Sequence, residues 1–342
     1  MSHVINYDFL LVVDRINRKE VRKTMRESLF QNVCNGKIKA NGDKEIEPKK
    51  IRYPICQFLH RSSPFLMLGP FHLDIKLYSP FRSVFRDFFT PKEMNWMIEY
   101  SKPRLSASRT VTQSKAASSK ARDDQNLGLV SRSTVAKAIQ TWFKDINYTE
   151  IQIFEKVSSD KQPLKYNHPP LKDPQSYSII HPIMYKISQR IELSTGFNVT
   201  SRFGASEYQT TNYGLSGMVA THTDPWGYES GKNVDKSHHW LTISGDYIAT
   251  FMGWFKKTEA GGGTAFVALD NEGLIEPSAG DAAFWMNIYS SHYKDAGASH
   301  AGCPVLKGSK WILNKWIYSW DQWKKWPCDL ETKARIIPIL PK

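Results

Sequence analysis

Thr221-His222-Thr223-Asp224 places a histidine and a carboxylate two positions apart. On a strand, residues i and i+2 point to the same face, so both side chains can reach one ion. A third donor lies downstream, His300 in Ser299-His300-Ala301-Gly302-Cys303, and Lys310 follows it. Two histidines and one carboxylate leave open positions on one side of a metal, the facial triad that suits Fe(II) and oxygen chemistry. A bidentate 2-oxo acid can fill two of those positions and molecular oxygen the third. If the acid is 2-oxoglutarate, its far carboxylate needs a cation, which a strand-borne Lys310 would supply. The plain alternatives are an ordinary half-buried histidine at 300 and a surface lysine at 310. The motif alone is weak, because a second H-x-D stands at His72-Leu73-Asp74. With ten histidines in the chain, roughly one H-x-acid is expected by chance.

The elements that must position these residues are legible in outline. From Glu207 onward the chain breaks into short, aromatic-rich runs: Tyr247–Phe255, Thr264–Leu269, Ala282–Tyr289 and Trp311–Ser319, separated by Gly, Pro, Asn and Asp. Many short strands with turn signals predict an antiparallel sandwich or barrel, here preceded by helices. One helix is expected over 5–33, from Phe9, Val12, Val13, Ile16, Val21, Met25, Leu29 and Val33 at helical spacing, with Gly36 as its end. A second starts at Thr90-Pro91-Lys92-Glu93, a capping box with proline in the first turn, and buries Met94, Met97 and Ile98. A third runs from Pro182 through Ile183, Ile187 and Ile191 to Gly196. Residues 106–127 and 156–177 read as long polar loops.

Composition bounds the function. The chain has 342 residues, 41% hydrophobic and 13% aromatic, which is too rich in core-formers for a disordered chain. The formal charge of +13 is uneven: residues 101–145 hold nine Lys/Arg against three Asp/Glu, whereas 205–300 hold eleven acidic against five basic. The positive charge therefore lies outside the motif-bearing region and reads as solvated surface, with no nucleic-acid partner expected. No apolar stretch approaches the roughly 18 residues of a membrane span. Phe9–Val13 is too short for a signal-peptide core. Cys34, Cys56, Cys303 and Cys328 contain no C-x-x-C pair, and fall as one cluster near each end; they are either two clasps or four separate thiols. Asn147-Tyr148-Thr149 and Asn198-Val199-Thr200 are glycosylation-type sequons.

Tyr208–Gly217, the H-x-D, Glu259–Phe266, Gly280–Trp285 and His300–Trp316 occur in one order. In that order the chain resembles the catalytic region of collagen-type prolyl 4-hydroxylase α subunits. The likeness reaches back to Cys34-Asn35-Gly36-Lys37, Pro64–Pro70 and Lys102–Leu105. It implies a mainly β fold with flanking helices (α+β) around a double-stranded β-helix, or jelly-roll. It also implies Fe(II), 2-oxoglutarate, oxygen and ascorbate as a rescuing reductant. By position, His222, Asp224 and His300 resemble the iron ligands. Lys310 resembles the 2-oxoglutarate partner, with Tyr213, Thr264 and Trp316 lining the same pocket; the alternatives are a core tyrosine, a strand threonine and a packing tryptophan.

The resemblance further implies disulfides Cys34–Cys56 and Cys303–Cys328, hence the endoplasmic reticulum lumen or beyond. Its substrate is proline in collagen-like chains, and its partner is protein disulfide isomerase. The chain then divides into an N-terminal helix and disulfide-linked extension (1–60), a helical and loop support region (61–204) with a polar insertion near 138–180, a catalytic core (205–328) and a tail (329–342). Val219 stands where the family has tyrosine, and Pro225-Trp226 where it has an aromatic residue after the aspartate. Both positions border the peptide groove, which leaves open a dioxygenase for a different protein substrate, or a binding module that has lost turnover.

Overall fold

A computed structural model describes residues 29–35, 55–59, 64–107, 135–143, 182–201, 203–225, 245–268, 273–322, 324–326 and 329–331. Asn147, Trp226, Cys328, residues 1–28 and most of the two expected polar loops lie outside the described residues.

The fold is one curled antiparallel sheet with two differently covered faces. Its path is β1 (Ile55–Leu59), β2 (Phe71–Tyr78), β3 (Phe81–Arg86), β11 (Ala282–Met286), β7 (Tyr247–Lys256), β14 (Lys310–Tyr318), β6 (Tyr208–His222), β12 (His300–Gly302), β9 (Thr264–Phe266) and β10 (Gly273–Ile275). β5 (Val135–Phe143) adds to the other edge of β6, and β4 (Ser106–Ala107) to β5. A separate ribbon joins β8 (Ala260–Gly261) to β13 (Val305–Lys307). The curl is made by β6, which pairs with β14 over Gln209–Tyr213 and with β12 at Val219 and His222. Between those halves lies Gly214–Gly217, where Ser216 takes a left-handed φ of 62°. The chain thus passes from one layer of the jelly-roll to the other on a single strand.

Period-two alternation sorts the side chains. On β7, Ala249, Phe251 and Phe255 face a helix-covered core, whereas Met252 and Trp254 face the barrel interior. β11 does the same with Phe284 outward and Trp285 inward, and β14 with Leu313 and Ile317 outward and Ile312 inward. The outer core is sealed by α3 (Pro91–Ser101) and α4 (Pro182–Thr195), which bring Met97, Ile187 and Ile191, all fully buried. The capping box is formed as expected: Glu93 N–H donates to Thr90 Oγ1 at 3.3 Å, and Thr90 N–H donates to Glu93 Oε2 at 2.9 Å. α4 stops at Gly196, whose φ of 79° is easy only for glycine. A short α2 (Pro64–Leu68) links β1 to β2.

Three findings differ from expectation. β1, β2 and β3 fall in the stretch read as extension, helix and loop, yet they extend the main sheet. β5 occupies the start of the expected polar insertion, where it is tied to β6 from Tyr208 to Val219. The third is the disulfide, which joins Cys34 to Cys303 and so overturns the expected Cys34–Cys56 and Cys303–Cys328 pairings. The reason is packing. Phe30 and Val33 on α1 (residues 29–34) bury against Ala265, Val267 and Ala301 on the outer side of β9 and β12, which brings Cys34 beside Cys303 with Cα atoms 5.4 Å apart.

Candidate metal and 2-oxo acid site

His222 ends β6 and His300 begins β12, and the two are direct cross-strand partners. Neighbours across an antiparallel pair share a face, so both rings enter the barrel interior, their centroids 4.4 Å apart. His222 Nδ1 lies 2.8 Å from the Ala220 carbonyl and His300 Nδ1 lies 3.0 Å from the Ala298 carbonyl. A carbonyl can only accept, so each Nδ1 carries the proton and each Nε2 presents its lone pair inward. Asp224 lies just past the end of β6, so strand alternation does not orient it. Its carboxylate is instead held from the opposite layer, where the Thr250 hydroxyl on β7 donates to Asp224 Oδ2 at 2.5 Å. Asp224 Oδ1 then stands 3.4 Å from His222 Nε2 and 3.6 Å from His300 Nε2.

The three donor atoms lie within 4.8 Å of one another. An octahedral ion with ligands at about 2.1 Å has adjacent donors about 3 Å apart, so a small inward shift would close this set around Fe(II). The electrostatics agree. Burial alone would favour a protonated Asp224, but His300 and His222 outweigh it and hold the carboxyl well below its usual range. Burial pushes His300 down to about 4, which keeps it neutral, with the nearby Arg82 acting in the same direction. For His222, burial opposes protonation, but the hydrogen bond and charge of Asp224 prevail and raise its pKa. The second H-x-D forms no such cluster: Asp74 is taken by Arg86 and Lys76, and His72 packs edge-on against Phe58.

Lys310 begins β14 opposite Tyr213 on β6, its Nζ 5.6 Å from the centre of the phenol ring. It is 3% exposed, yet it makes no hydrogen bond or ion pair with a described residue. Burial lowers its pKa to about 7, with Glu276 pulling weakly the other way. Thr264 on β9 is also buried, and its hydroxyl has no hydrogen-bond partner among the described residues. Burial pushes the Tyr213 phenol up, so it remains a neutral donor. A buried cation and an unused hydroxyl facing the barrel interior are the complement of a small dicarboxylate. The donor set therefore fits Fe(II), and this pair fits 2-oxoglutarate.

Trp316 is also on β14, but further along, opposite Thr250 rather than beside Lys310; its ring stacks on Tyr247 at 5.6 Å, and Tyr247 stacks in turn on Tyr318. Val219 is partly buried against the interior cluster, next to Gly302. The Asn198 amide donates to Asp321, and the Thr200 hydroxyl to Glu192. Cys56 lies on β1 and takes no part in the Cys34–Cys303 bond. Three interior residues were not anticipated: Thr250, Asn287 behind it, and Arg82, whose guanidinium covers the Phe266 ring at 4.2 Å. Arg82 faces Trp285 in register, so the alternation of β3 could have revealed it.

Residues 208–318 match the family model of the 2OG-Fe(II) oxygenase superfamily. The chain is 27% identical to prolyl 4-hydroxylase subunit alpha-2 of Caenorhabditis elegans, over 93% of this chain and 48% of that protein. It is 33% identical to the alpha-1 subunit of Gallus gallus over 44% of this chain and 27% of that protein. It therefore spans about half the length, or less, of these relatives. Among solved structures, the viral collagen prolyl hydroxylase of Paramecium Bursaria Chlorella virus-1 aligns with a TM-score of 0.39 at 17% identity, covering 69% of this chain and 95% of that one.

Proposed function

Since residues 208–318 belong to the 2OG-Fe(II) oxygenase superfamily, we propose that this chain is a prolyl 4-hydroxylase acting on proline in collagen-like Xaa-Pro-Gly chains. The observation that carries the reading is the co-location of His222, Asp224 and His300 with the buried Lys310 in one barrel interior. In this reading His222 and His300 offer Nε2 and Asp224 offers Oδ1 to Fe(II). The Lys310 ammonium, helped by the Thr264 and Tyr213 hydroxyls, neutralises the distal carboxylate of 2-oxoglutarate. With 2-oxoglutarate and oxygen, the iron supplies the oxidising power that turns a ring C–H into C–OH while succinate and CO2 depart.

The protein itself transfers no proton in this scheme. Its work is to bind, to orient and to exclude water. Trp285 and Phe266 wall the His300 ring on the interior side, centroids 4.9 and 5.9 Å away, and keep the reacting centre dry. Trp316, stacked on Tyr247, stands on the Asp224 side and offers an aromatic surface to the target ring. Val219 and Pro225 tune which peptide is accepted. Ascorbate as reductant, residence in the endoplasmic reticulum lumen, glycosylation at Asn147 and Asn198, and pairing with protein disulfide isomerase belong to the same reading.

The test is succinate release from 2-oxoglutarate with a (Pro-Pro-Gly)-type peptide, with and without added Fe(II). Peptide-dependent release that requires iron supports prolyl hydroxylation. Iron-dependent release that the peptide does not stimulate moves the assignment to another protein substrate. No release under any condition leaves a binding module.

A further inference from the structure

Behind Asp224 runs a chain of hydrogen bonds through Thr250 on β7 to Asn287, just past the end of β11. Thr250 Oγ1 donates to Asp224 Oδ2, and Asn287 Nδ2 donates to Thr250 Oγ1 at 2.8 Å. Thr250 is 2% exposed and Asn287 1% exposed. Asn287 is itself fixed at both ends of its backbone: its N–H donates to the Ile248 carbonyl, and its carbonyl accepts from Asp295 N–H. A threonine hydroxyl has one proton, so a donor behind it at Asn287 commits that proton to Asp224. Thr250 also sits on a central strand, between β11 and β14. The relay is therefore rigid, dry and directional.

Resting on the proposed metal site, we infer that Thr250, oriented by Asn287, is a positioning residue that makes Asp224 a one-oxygen ligand. The two carboxylate oxygens have different tasks. Oδ1 faces both Nε2 atoms, whereas Oδ2 is engaged by the hydroxyl and turned toward β7. A carboxylate held by one oxygen occupies one coordination position, which leaves room for a bidentate 2-oxo acid and one further ligand. Released from Thr250, Asp224 is free to swing, because no strand ladder fixes it beyond His222. It can then chelate with both oxygens or leave the site. Partners behind a metal ligand commonly carry roughly 10- to 100-fold in metal affinity. This one also sets how many positions stay open.

The test uses the whole chain with Co(II) as probe, and reads affinity by titration and coordination by the visible absorption spectrum. Thr250→Val keeps the shape and removes the hydroxyl; Thr250→Ser keeps the hydroxyl. The expected result is a roughly 10- to 100-fold weaker Co(II) affinity and an altered spectrum for Val, with both restored in Ser and Val still folded without metal. If Val does not fold, Asn287→Ala, which leaves the hydroxyl but removes its donor, takes its place with the same expected direction. A valine variant matching the parent in affinity and spectrum overturns the relay alone, as does a serine variant that loses as much as valine. A parent chain that binds no Co(II) sinks the metal site and the relay together.

Discussion

His222 and His300 face one another across adjacent antiparallel strands, and each imidazole is locked by the carbonyl two residues before it in its own chain segment. The pair is not equivalent. His300 is buried between Trp285 and Phe266, whereas the His222 side chain is about a quarter exposed, at 27%. Replacing either with alanine should abolish Fe(II) binding and turnover. His300→Ala should in addition cost about 2–4 kcal/mol of stability through the cavity it leaves, and His222→Ala much less. Metal titration and thermal unfolding of both variants check this; equal unfolding midpoints would refute the asymmetry.

Cys303 stands three residues beyond His300, so the Cys34–Cys303 bond ties α1 to the end of the strand that carries His300. Peptide mapping without reduction should recover a Cys34–Cys303 cross-linked fragment. Cys34→Ser should lower stability by about 2–4 kcal/mol, as expected for a bond closing a long loop. A Cys34–Cys56 fragment in the map would contradict the packing of Phe30 and Val33 on β9 and β12.

What could be read in advance was local. Thr90 to Glu93 announces a helix because the capping box lies within one turn, and Ile187 and Ile191 announce a buried face for the same reason. The triad and Lys310 were visible as residue types in order along the chain. What escaped is non-local. β2 and β3 earn their place in the sheet only through pairing with β11, far away in sequence. The family resemblance implied Cys34–Cys56, but α1 docks against β9 and β12, near the opposite end of the chain. Nothing in spacing links Thr250 to Asp224 or Asn287, since the three come from separate segments that only the folded sheet brings together. Alternation was even misleading at Asp224, which has already left β6 when it reaches the site. Two H-x-D motifs looked alike until their neighbours were known: Asp74 meets cations, and Asp224 meets imidazoles.

Glu93 both caps α3 and bridges it to α4, where Arg190 Nη2 donates to Glu93 Oε1 at 2.7 Å. Burial favours the neutral acid, but Arg190 and the Thr90 amide prevail and lower its pKa. The stability this contributes is complete above the ordinary carboxylate range and is lost as pH falls through the depressed value. Arg190→Met should cost about 1–3 kcal/mol near neutral pH, discounted for partial exposure of the pair. The deficit should shrink in acid, where Glu93 is protonated in both proteins. A deficit independent of pH in denaturant titrations would show that lost packing, not the ion pair, is responsible.

In the proposed carboxylate-binding role, Lys310 makes the binding of a dicarboxylate a proton-linked event. Its pKa is lowered by burial to about 7 from an ordinary value near 10.5. Between those values the unfolded chain carries the proton and the folded chain does not, so stability of the ligand-free protein should rise with pH across that window and be flat below it. A dianion beside Nζ favours the charged lysine, so at pH 8 binding should draw a proton from solvent. The apparent 2-oxoglutarate affinity should then fall as pH rises above about 7. Calorimetry in two buffers of different ionisation enthalpy reads the proton uptake directly. Lys310→Ala should raise the KM for 2-oxoglutarate by about 10- to 100-fold, equivalent to about 1.4–2.8 kcal/mol for a lost charge-assisted contact, while leaving metal binding intact. It should also abolish both the proton uptake and the rise of stability between neutral and alkaline pH. An alanine variant that keeps the same uptake would assign the proton to another group and remove Lys310 from the carboxylate-binding role.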